Sequence, residues 1–116
     1  ADVVTFECAS TMGRDLPLFA RQETTKKLAI GVVNHTNTVV ESPASVADLI
    51  RRALEYVSPE RLIISSDCGF GREGISRRIA FHKCVALVQG TNIVRKELGL
   101  PEATVRAADP RFAFAE

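Results

Sequence analysis

The chain has 116 residues, of which 46% are hydrophobic and 25% are charged, and its formal net charge is +1. A chain of this length forms one domain at most. The balanced charge gives no reason to expect binding to nucleic acid or to an anionic membrane, and no apolar run approaches the ~20 residues that a membrane span requires.

Two strands are predicted in the first part of the chain. Residues 3–6 are β-branched or aromatic, and they lead directly into Glu7 and Cys8. Residues 28–33 form a second apolar run, which ends at Asn34 and His35. Each predicted strand is therefore followed at once by side chains that can take part in chemistry.

The clearest amphipathic helix follows the second strand. Ser42 and Pro43 supply an N-cap residue and a first-turn proline. Apolar residues then recur with the spacing of one helix face: Val46, Leu49, Ile50, Ala53, Leu54 and Val57. Ser58 and Pro59 end the pattern, which predicts a helix packed against the sheet through this face.

A third strand is predicted at residues 62–64, a short apolar run bounded by polar residues. Strands that alternate with helices predict an α/β fold with a parallel sheet, wound as an open sheet or as part of a barrel. In such folds, ligands and catalytic groups collect where the strands end. The polar sets that follow the three strands are Glu7 with Cys8, Asn34 with His35, and Asp67 with Cys68.

The last predicted helix covers residues 76–98, and we expect it to bend or break near Gly90. The basic residues of the two helices are expected to form a solvated outer face. They are Arg51, Arg52, Arg77, Arg78, Lys83, Arg95 and Lys96. In the tail that follows, Phe112 and Phe114 are expected to hold the chain against the body.

The three cysteines, Cys8, Cys68 and Cys84, have no paired spacing. An odd number of cysteines indicates free thiols in a reducing compartment, and the absence of a signal-peptide pattern agrees with a cytoplasmic location. We expect Cys8, which should face away from Glu7, and Cys84 to lie in the core. Cys68 stands at a strand end and is the better candidate for chemistry.

The glycine loop after the third strand allows one interpretation of function. Gly69, Gly71 and Gly74 have the G-x-G-x-x-G spacing between a strand and a helix. In a dinucleotide-binding module, such glycines let a pyrophosphate approach the helix N-terminus. The acidic residue expected about 20 residues further on is missing. A non-catalytic nucleotide-binding module is the alternative that this loop supports.

A second interpretation concerns the Asp67-Cys-Gly69 sequence. It resembles the end of the last strand in the C-terminal barrel of the cobalamin-independent methionine synthase family, where this motif contributes a zinc-binding cysteine. Val4-Thr-Phe-Glu-Cys-Ala-Ser10 looks like the family strand whose glutamate approaches the same zinc, and Ile30-Gly-Val-Val-Asn-His-Thr36 looks like the strand after it. Residues 72–78 resemble the shorter, single-barrel members and related alkyltransferases.

The resemblance covers about residues 1–100 and implies a fold. Residues 1–116 would be a single partial domain, made of the C-terminal strand–helix units of a (β/α)8 TIM barrel. The family's other two zinc ligands, a histidine and a cysteine two residues apart, are absent here. We expect them in the upstream part of the barrel or in a neighbouring chain.

The resemblance also implies the roles of individual residues. Glu7 and Cys68 match the positions of zinc ligands, and Asp67 and Gly69 are predicted to bind substrate. Asn34 and His35 are predicted to be catalytic. The long synthases carry a histidine two residues after the position of Asn34. In a regular strand the side chain of the adjacent His35 would point the other way, so a proton-donor role for it is a hypothesis.

The implied reaction is transfer of a methyl group from a methylated folate to the thiol of homocysteine. A free thiol is mostly protonated at neutral pH, and a bound zinc ion can favour the reactive thiolate. A sibling reaction in the same family is the alkylation of another small thiol, such as coenzyme M, by an epoxide. As a fragment, the isolated chain is expected to be inactive, and the exposed sheet edges of half a barrel invite self-association or aggregation.

Overall fold

Three parallel strands form the sheet. In this computed structural model the described residues are 1–21, 25–71 and 74–113. The strands are β1 (Val3–Glu7), β2 (Lys27–Gly31) and β3 (Leu62–Ser65), in the spatial order β1-β2-β3. The register pairs Glu7 with Gly31 and Gly31 with Ser65, so the carboxyl ends of all three strands meet at one edge. The predicted parallel α/β sheet is confirmed.

Helix α1 (Pro43–Leu54) begins and packs as the sequence predicts. The Ser42 hydroxyl oxygen accepts a hydrogen bond of 3.1 Å from the backbone N–H of Ser45, which satisfies one of the free donors of the first turn. The buried residues of this helix are Val46, Ala47, Ile50 and Ala53. Val46, Ile50 and Ala53 lie on the face that the apolar spacing indicates, Ala47 widens it, and all four pack within the main core.

Helix α2 (Arg77–Glu97) is continuous, which excludes a break near Gly90. The glycine is needed for another reason. A Cβ atom at position 90 would lie 2.5 Å from Val46 Cγ1 and 2.8 Å from the carbonyl oxygen of Pro43. Glycine therefore lets α1 and α2 approach closely, and this packing outweighs its low helix propensity. In the described part of the chain, no helix combines the length and apolar character needed to cross a membrane.

Lys83 is completely buried, although the helical pattern predicts it on a solvated face. Its ammonium group donates three hydrogen bonds to the loop before α1: 3.1 Å to Asn37 Oδ1, 2.6 Å to the Val39 carbonyl and 2.8 Å to Glu41 Oε1. All three of its donors are thus used, which is what allows the charge to be buried. The other six basic residues in the predicted set are exposed.

The tail after α2 lies against that helix. The side-chain amide of Asn92 pairs with the backbone of Ala103, accepting its N–H at 2.8 Å and donating to its carbonyl at 3.1 Å. The ring of Phe112 meets that of Phe81 edge to face, with 5.5 Å between centroids. The predicted anchoring role of Phe112 is confirmed, whereas Phe114 lies outside the described residues.

Candidate metal centre

Three ionisable side chains converge at the carboxyl edge of the sheet. Glu7 ends β1, His35 lies in the loop after β2, and Asp67 follows β3. One potential ligand atom from each of the three lies within 4.8 Å of the others. The structure thus brings together one residue from each polar set that the sequence places after a strand. Carboxylate oxygen and imidazole nitrogen are donors that suit zinc and other transition metals.

The Asp67 carboxylate is held by the backbone that follows β1. Its Oδ1 accepts hydrogen bonds from the N–H groups of Cys8 (2.9 Å) and Ala9 (3.0 Å), and its Oδ2 accepts one from Ser10 (2.8 Å). Three amide donors on one ionised carboxylate are charge-assisted hydrogen bonds, which are stronger than neutral ones. The turn after β1 is therefore tied to the end of β3.

Gly31 makes room for this contact. A Cβ atom at position 31 would lie 2.1 Å from Asp67 Oδ1 and 2.4 Å from Asp67 Cα. The backbone N–H of Asp67 also donates to the carbonyl of Val33 at 3.0 Å. Asp67 consequently lies directly against the end of the middle strand, and any side chain at position 31 would displace it.

Glu7 has an exposed carboxylate that Ser10 partly orients. The Ser10 hydroxyl donates to Glu7 Oε2 at 3.1 Å. Because an ionised carboxylate offers about four acceptor positions, this hydrogen bond leaves Glu7 able to bind a metal ion. The position agrees with the zinc-ligand role predicted for it from the sequence.

His35 lies closer to these carboxylates than strand alternation suggests. β2 ends at Gly31, so the alternation of a regular strand does not extend to position 35. The Nδ1 atom of His35 is buried and has no hydrogen-bond partner among the described residues. A buried polar atom without a partner is costly, and a bound ion or substrate would supply the missing interaction.

Asn34 precedes His35 in the loop after β2, and its side chain makes hydrogen bonds within that loop. Its side-chain oxygen accepts from the backbone N–H of Thr36 at 2.8 Å and from the Thr36 hydroxyl at 2.6 Å. Its own backbone N–H donates to Glu41 Oε2 at 2.6 Å. These contacts shape the loop that carries His35, and they give Asn34 a part in the local fold.

Cys68 and Gly69 lie at the same edge and are exposed. The Cys68 thiol is not in the described cluster of Glu7, His35 and Asp67. Its backbone carbonyl accepts from the Ser66 hydroxyl at 2.9 Å, which helps to hold the turn after β3. A Cβ atom at Gly69 would meet no atom within 4 Å, so there is free space beside the two residues.

The last glycine of the loop weakens the dinucleotide-binding interpretation. A Cβ atom at Gly74 would meet nothing within 4 Å, whereas the dinucleotide fingerprint uses its third glycine for close packing of the helix on the strand. The N-terminus of α2 is already capped, because the Ser76 hydroxyl oxygen accepts from the N–H of Ile79. Residues 72 and 73, which complete the loop and begin the stretch resembling the shorter family members, lie outside the described residues.

The other two cysteines differ from each other. Cys8 is only 1% exposed, which confirms its predicted place in the core. Burial, with a smaller contribution from the Asp67 charge, raises the pKa of its thiol to about 11. Cys84 is exposed, so its predicted core position is wrong. It lies on α2 between buried Lys83 and buried Val85, and the sequence pattern does not show which side of the helix it occupies.

Thiol labelling at pH 8 in the presence of a chelator is expected to modify Cys68 and Cys84 but not Cys8. With a pKa near 11, only roughly one thousandth of the Cys8 thiol is ionised at that pH, and it is also shielded from reagent. Mass spectrometry should find two labels on the native chain and three after unfolding. Cys84→Ser should remove one native label; labelling of Cys8 at the rate of Cys84 would contradict the buried position.

Comparisons with known proteins place this edge in context. Residues 1–89 match the family profile described as "Cobalamin-independent synthase, Catalytic domain". A methionine synthase of Thermococcus kodakarensis is 46% identical over 92 residues, covering 79% of this chain and 26% of that protein. A methionine synthase of Saccharolobus islandicus is 42% identical over 85 residues, covering 73% of this chain and 25% of that protein. A methionine synthase of Saccharolobus solfataricus is 39% identical over 97 residues, covering 84% of this chain and 29% of that protein.

A solved structure shows the same fold. The B12-independent methionine synthase from Shewanella sp. W3-18-1, in complex with selenomethionine, matches with a TM-score of 0.75 and 30% sequence identity. The match covers 84% of this chain and 27% of that one. The likeness confirms the predicted fold class, namely parallel strand–helix units of a (β/α)8 barrel. The chain spans about a quarter of the length of the relatives it matches.

Proposed function

The chain belongs to the cobalamin-independent methionine synthase family, and on that premise we propose that it forms part of the zinc site of an enzyme that methylates homocysteine. The observation that carries the proposal is the convergence of Glu7, His35 and Asp67 at one sheet edge, where Cys68 follows Asp67 in the chain. Because the chain spans about a quarter of its relatives, we propose that residues 1–116 are one part of a barrel domain.

The residues at this edge fit a zinc ion. Glu7 and Cys68 would be ligands, and oxygen and sulfur donors are both common in zinc sites. The buried Nδ1 of His35 is a polar atom near this edge that the described residues leave without a partner. The remaining ligands would come from the upstream part of the barrel or from a neighbouring chain. Bound zinc would lower the pKa of the acceptor thiol, so that the reactive thiolate forms near neutral pH.

The chain's own residues would orient the reactants and move a proton. The Ser10 hydroxyl would help to orient the Glu7 carboxylate, to which it donates a hydrogen bond. We assign to His35 the proton transfer that accompanies the reaction, because an imidazole can gain or lose a proton near pH 7. Asn34 would support this role by shaping the loop, and the free space beside Gly69 supports a substrate-binding position there.

Homocysteine is the acceptor we favour, with a methylated folate as donor. The matched relatives are named methionine synthases, and the solved relative binds selenomethionine, the selenium analogue of methionine. Alkylation of another small thiol, such as coenzyme M, uses the same zinc chemistry and is the second candidate. The three free cysteines agree with a reducing compartment, and we place the enzyme in the cytoplasm.

Zinc binding by the wild-type chain, Cys68→Ser and Glu7→Gln tests the proposal. Elemental analysis and titration calorimetry should show zinc bound to the wild-type chain and affinity at least ~100-fold lower in Cys68→Ser. The reason is that mutating residues that only hydrogen-bond to the metal ligands already lowers metal affinity roughly 10- to 100-fold. Glu7→Gln should weaken binding less, because an amide oxygen remains as a weak donor.

Cys84→Ser is the matched control, since it replaces another exposed thiol on a helix outside the cluster. It should bind zinc as the wild-type chain does. Zinc that binds equally well after Cys68→Ser, or that is lost equally after Cys84→Ser, would contradict the proposed site. No zinc bound by any of these chains would also count against it.

A further inference from the structure

We propose that Asp67 is a positioning residue, whose carboxylate fixes the backbone around Glu7 relative to Cys68. This role replaces the substrate-binding role that the sequence predicts for Asp67. The inference rests on the proposed zinc site and deepens it. Asp67 directly precedes one candidate ligand in the chain, and the three amides that it binds directly follow the other. One side chain therefore connects the backbones of both candidate ligands.

The connection reaches the carboxylate of Glu7 itself. Asp67 Oδ2 accepts from the Ser10 N–H at 2.8 Å, and the hydroxyl of the same serine donates to Glu7 Oε2 at 3.1 Å. Because Asp67 fixes the backbone of Ser10, it also fixes the position from which the Ser10 hydroxyl reaches Glu7. Without Asp67, the turn after β1 would lose the contact that spans strands β1 and β3.

The segment that contains the middle strand β2 also holds Asp67 in position. The N–H of Asp67 donates to the Val33 carbonyl at 3.0 Å, and Gly31, which has no side chain, contacts the Cα and the carboxylate of Asp67. The side chain is consequently held on both sides, by β2 underneath and by the turn after β1 above. A ligand that needed Asp67 would have to compete with three charge-assisted hydrogen bonds, which argues against a substrate-binding role.

Amide hydrogen exchange and zinc titration of Asp67→Asn and Asp67→Ala test the proposal together. An amide side chain has one acceptor oxygen in place of two, so Asp67→Asn must leave at least one of the three N–H groups without an acceptor. Exchange at that amide should rise about tenfold, and at all three amides in Asp67→Ala. Zinc affinity should fall by roughly 10- to 100-fold, as for other residues that orient ligands.

Asp2→Asn is the matched control, because Asp2 is an exposed carboxylate just before β1, at the opposite end of that strand from Glu7. It should change neither exchange at residues 8–10 nor zinc affinity. Amides of α2 report global unfolding, so faster exchange confined to residues 8–10 identifies a local effect. Asp67→Asn, the nearly isosteric variant, keeps the test decisive if Asp67→Ala does not fold.

Unchanged exchange at residues 8–10 in Asp67→Asn would overturn the proposal. Faster exchange with unchanged zinc affinity would overturn it as well, because Asp67 would then serve the local fold alone. A wild-type chain that binds no zinc would refute the proposed zinc site. The exchange at residues 8–10 would then decide by itself whether Asp67 positions the backbone after Glu7.

Discussion

Gly31→Ala is expected to lower the free energy of unfolding by about 3 kcal/mol. The new methyl group would lie 2.1 Å from Asp67 Oδ1, 2.4 Å from its Cα and 2.6 Å from its backbone nitrogen. Two of these atoms are backbone, so no rotation of a side chain relieves the overlap. The end of β3 would have to move away from β2, and the hydrogen bonds that Asp67 accepts from residues 8–10 would lengthen or break.

Gly69→Ala is the matched control for this change. Gly69 lies after the end of β3, and a Cβ atom there would meet nothing within 4 Å. Its backbone φ is also outside the positive range that favours glycine. Stability should therefore change by no more than about 0.5 kcal/mol. Denaturant unfolding followed by circular dichroism measures both variants, and an unchanged midpoint for Gly31→Ala would show that the close approach does not exist.

The elements that could be predicted from the sequence are those with a strong local pattern. The apolar spacing of α1 and the Ser42 cap depend on residues a few positions apart, and both are found as predicted. The parallel order of the strands follows from their alternation with helices. Because the register aligns the strand ends, the grouping of Glu7, His35 and Asp67 at one edge was also within reach of sequence reasoning.

What could not be predicted depends on contacts between distant parts of the chain. Gly90 suggests a helix break until the position of Val46 on the other helix is known. The role of Gly31 depends in the same way on Asp67, which follows a different strand. Local propensity cannot distinguish a glycine that breaks a helix from one that allows close packing. The propensity depends only on the missing side chain, and not on which residue lies opposite the glycine in the fold.

Lys83→Met is expected to lower the free energy of unfolding by about 3 kcal/mol, the cost of breaking a buried ion pair by removing one partner. Lys83 is fully buried, and the side chain of Glu41 is only 18% exposed. Methionine would fill much of the same volume but donate nothing. The Glu41 carboxylate, the Val39 carbonyl and the Asn37 side chain would each lose a donor, and the Glu41 carboxylate is too shielded to be solvated freely by water.

A double-mutant cycle with Glu41→Gln separates this pairing from simple packing. In the double variant neither side chain carries a charge, and the new amide group can still accept from the N–H of Asn34. The double variant should therefore be more stable than Lys83→Met alone. Arg51→Met, which removes the ion pairs that exposed Arg51 makes, is the control and should leave stability close to wild type. The buried pair does not hold the loop between β2 and α1 if Lys83→Met is as stable as this control, or if the effects of Lys83→Met and Glu41→Gln simply add.

Loosening of that loop in Lys83→Met would also affect Asn34, because the N–H of Asn34 donates a hydrogen bond to the same Glu41 carboxylate. Through Asn34 it would affect the segment that carries His35.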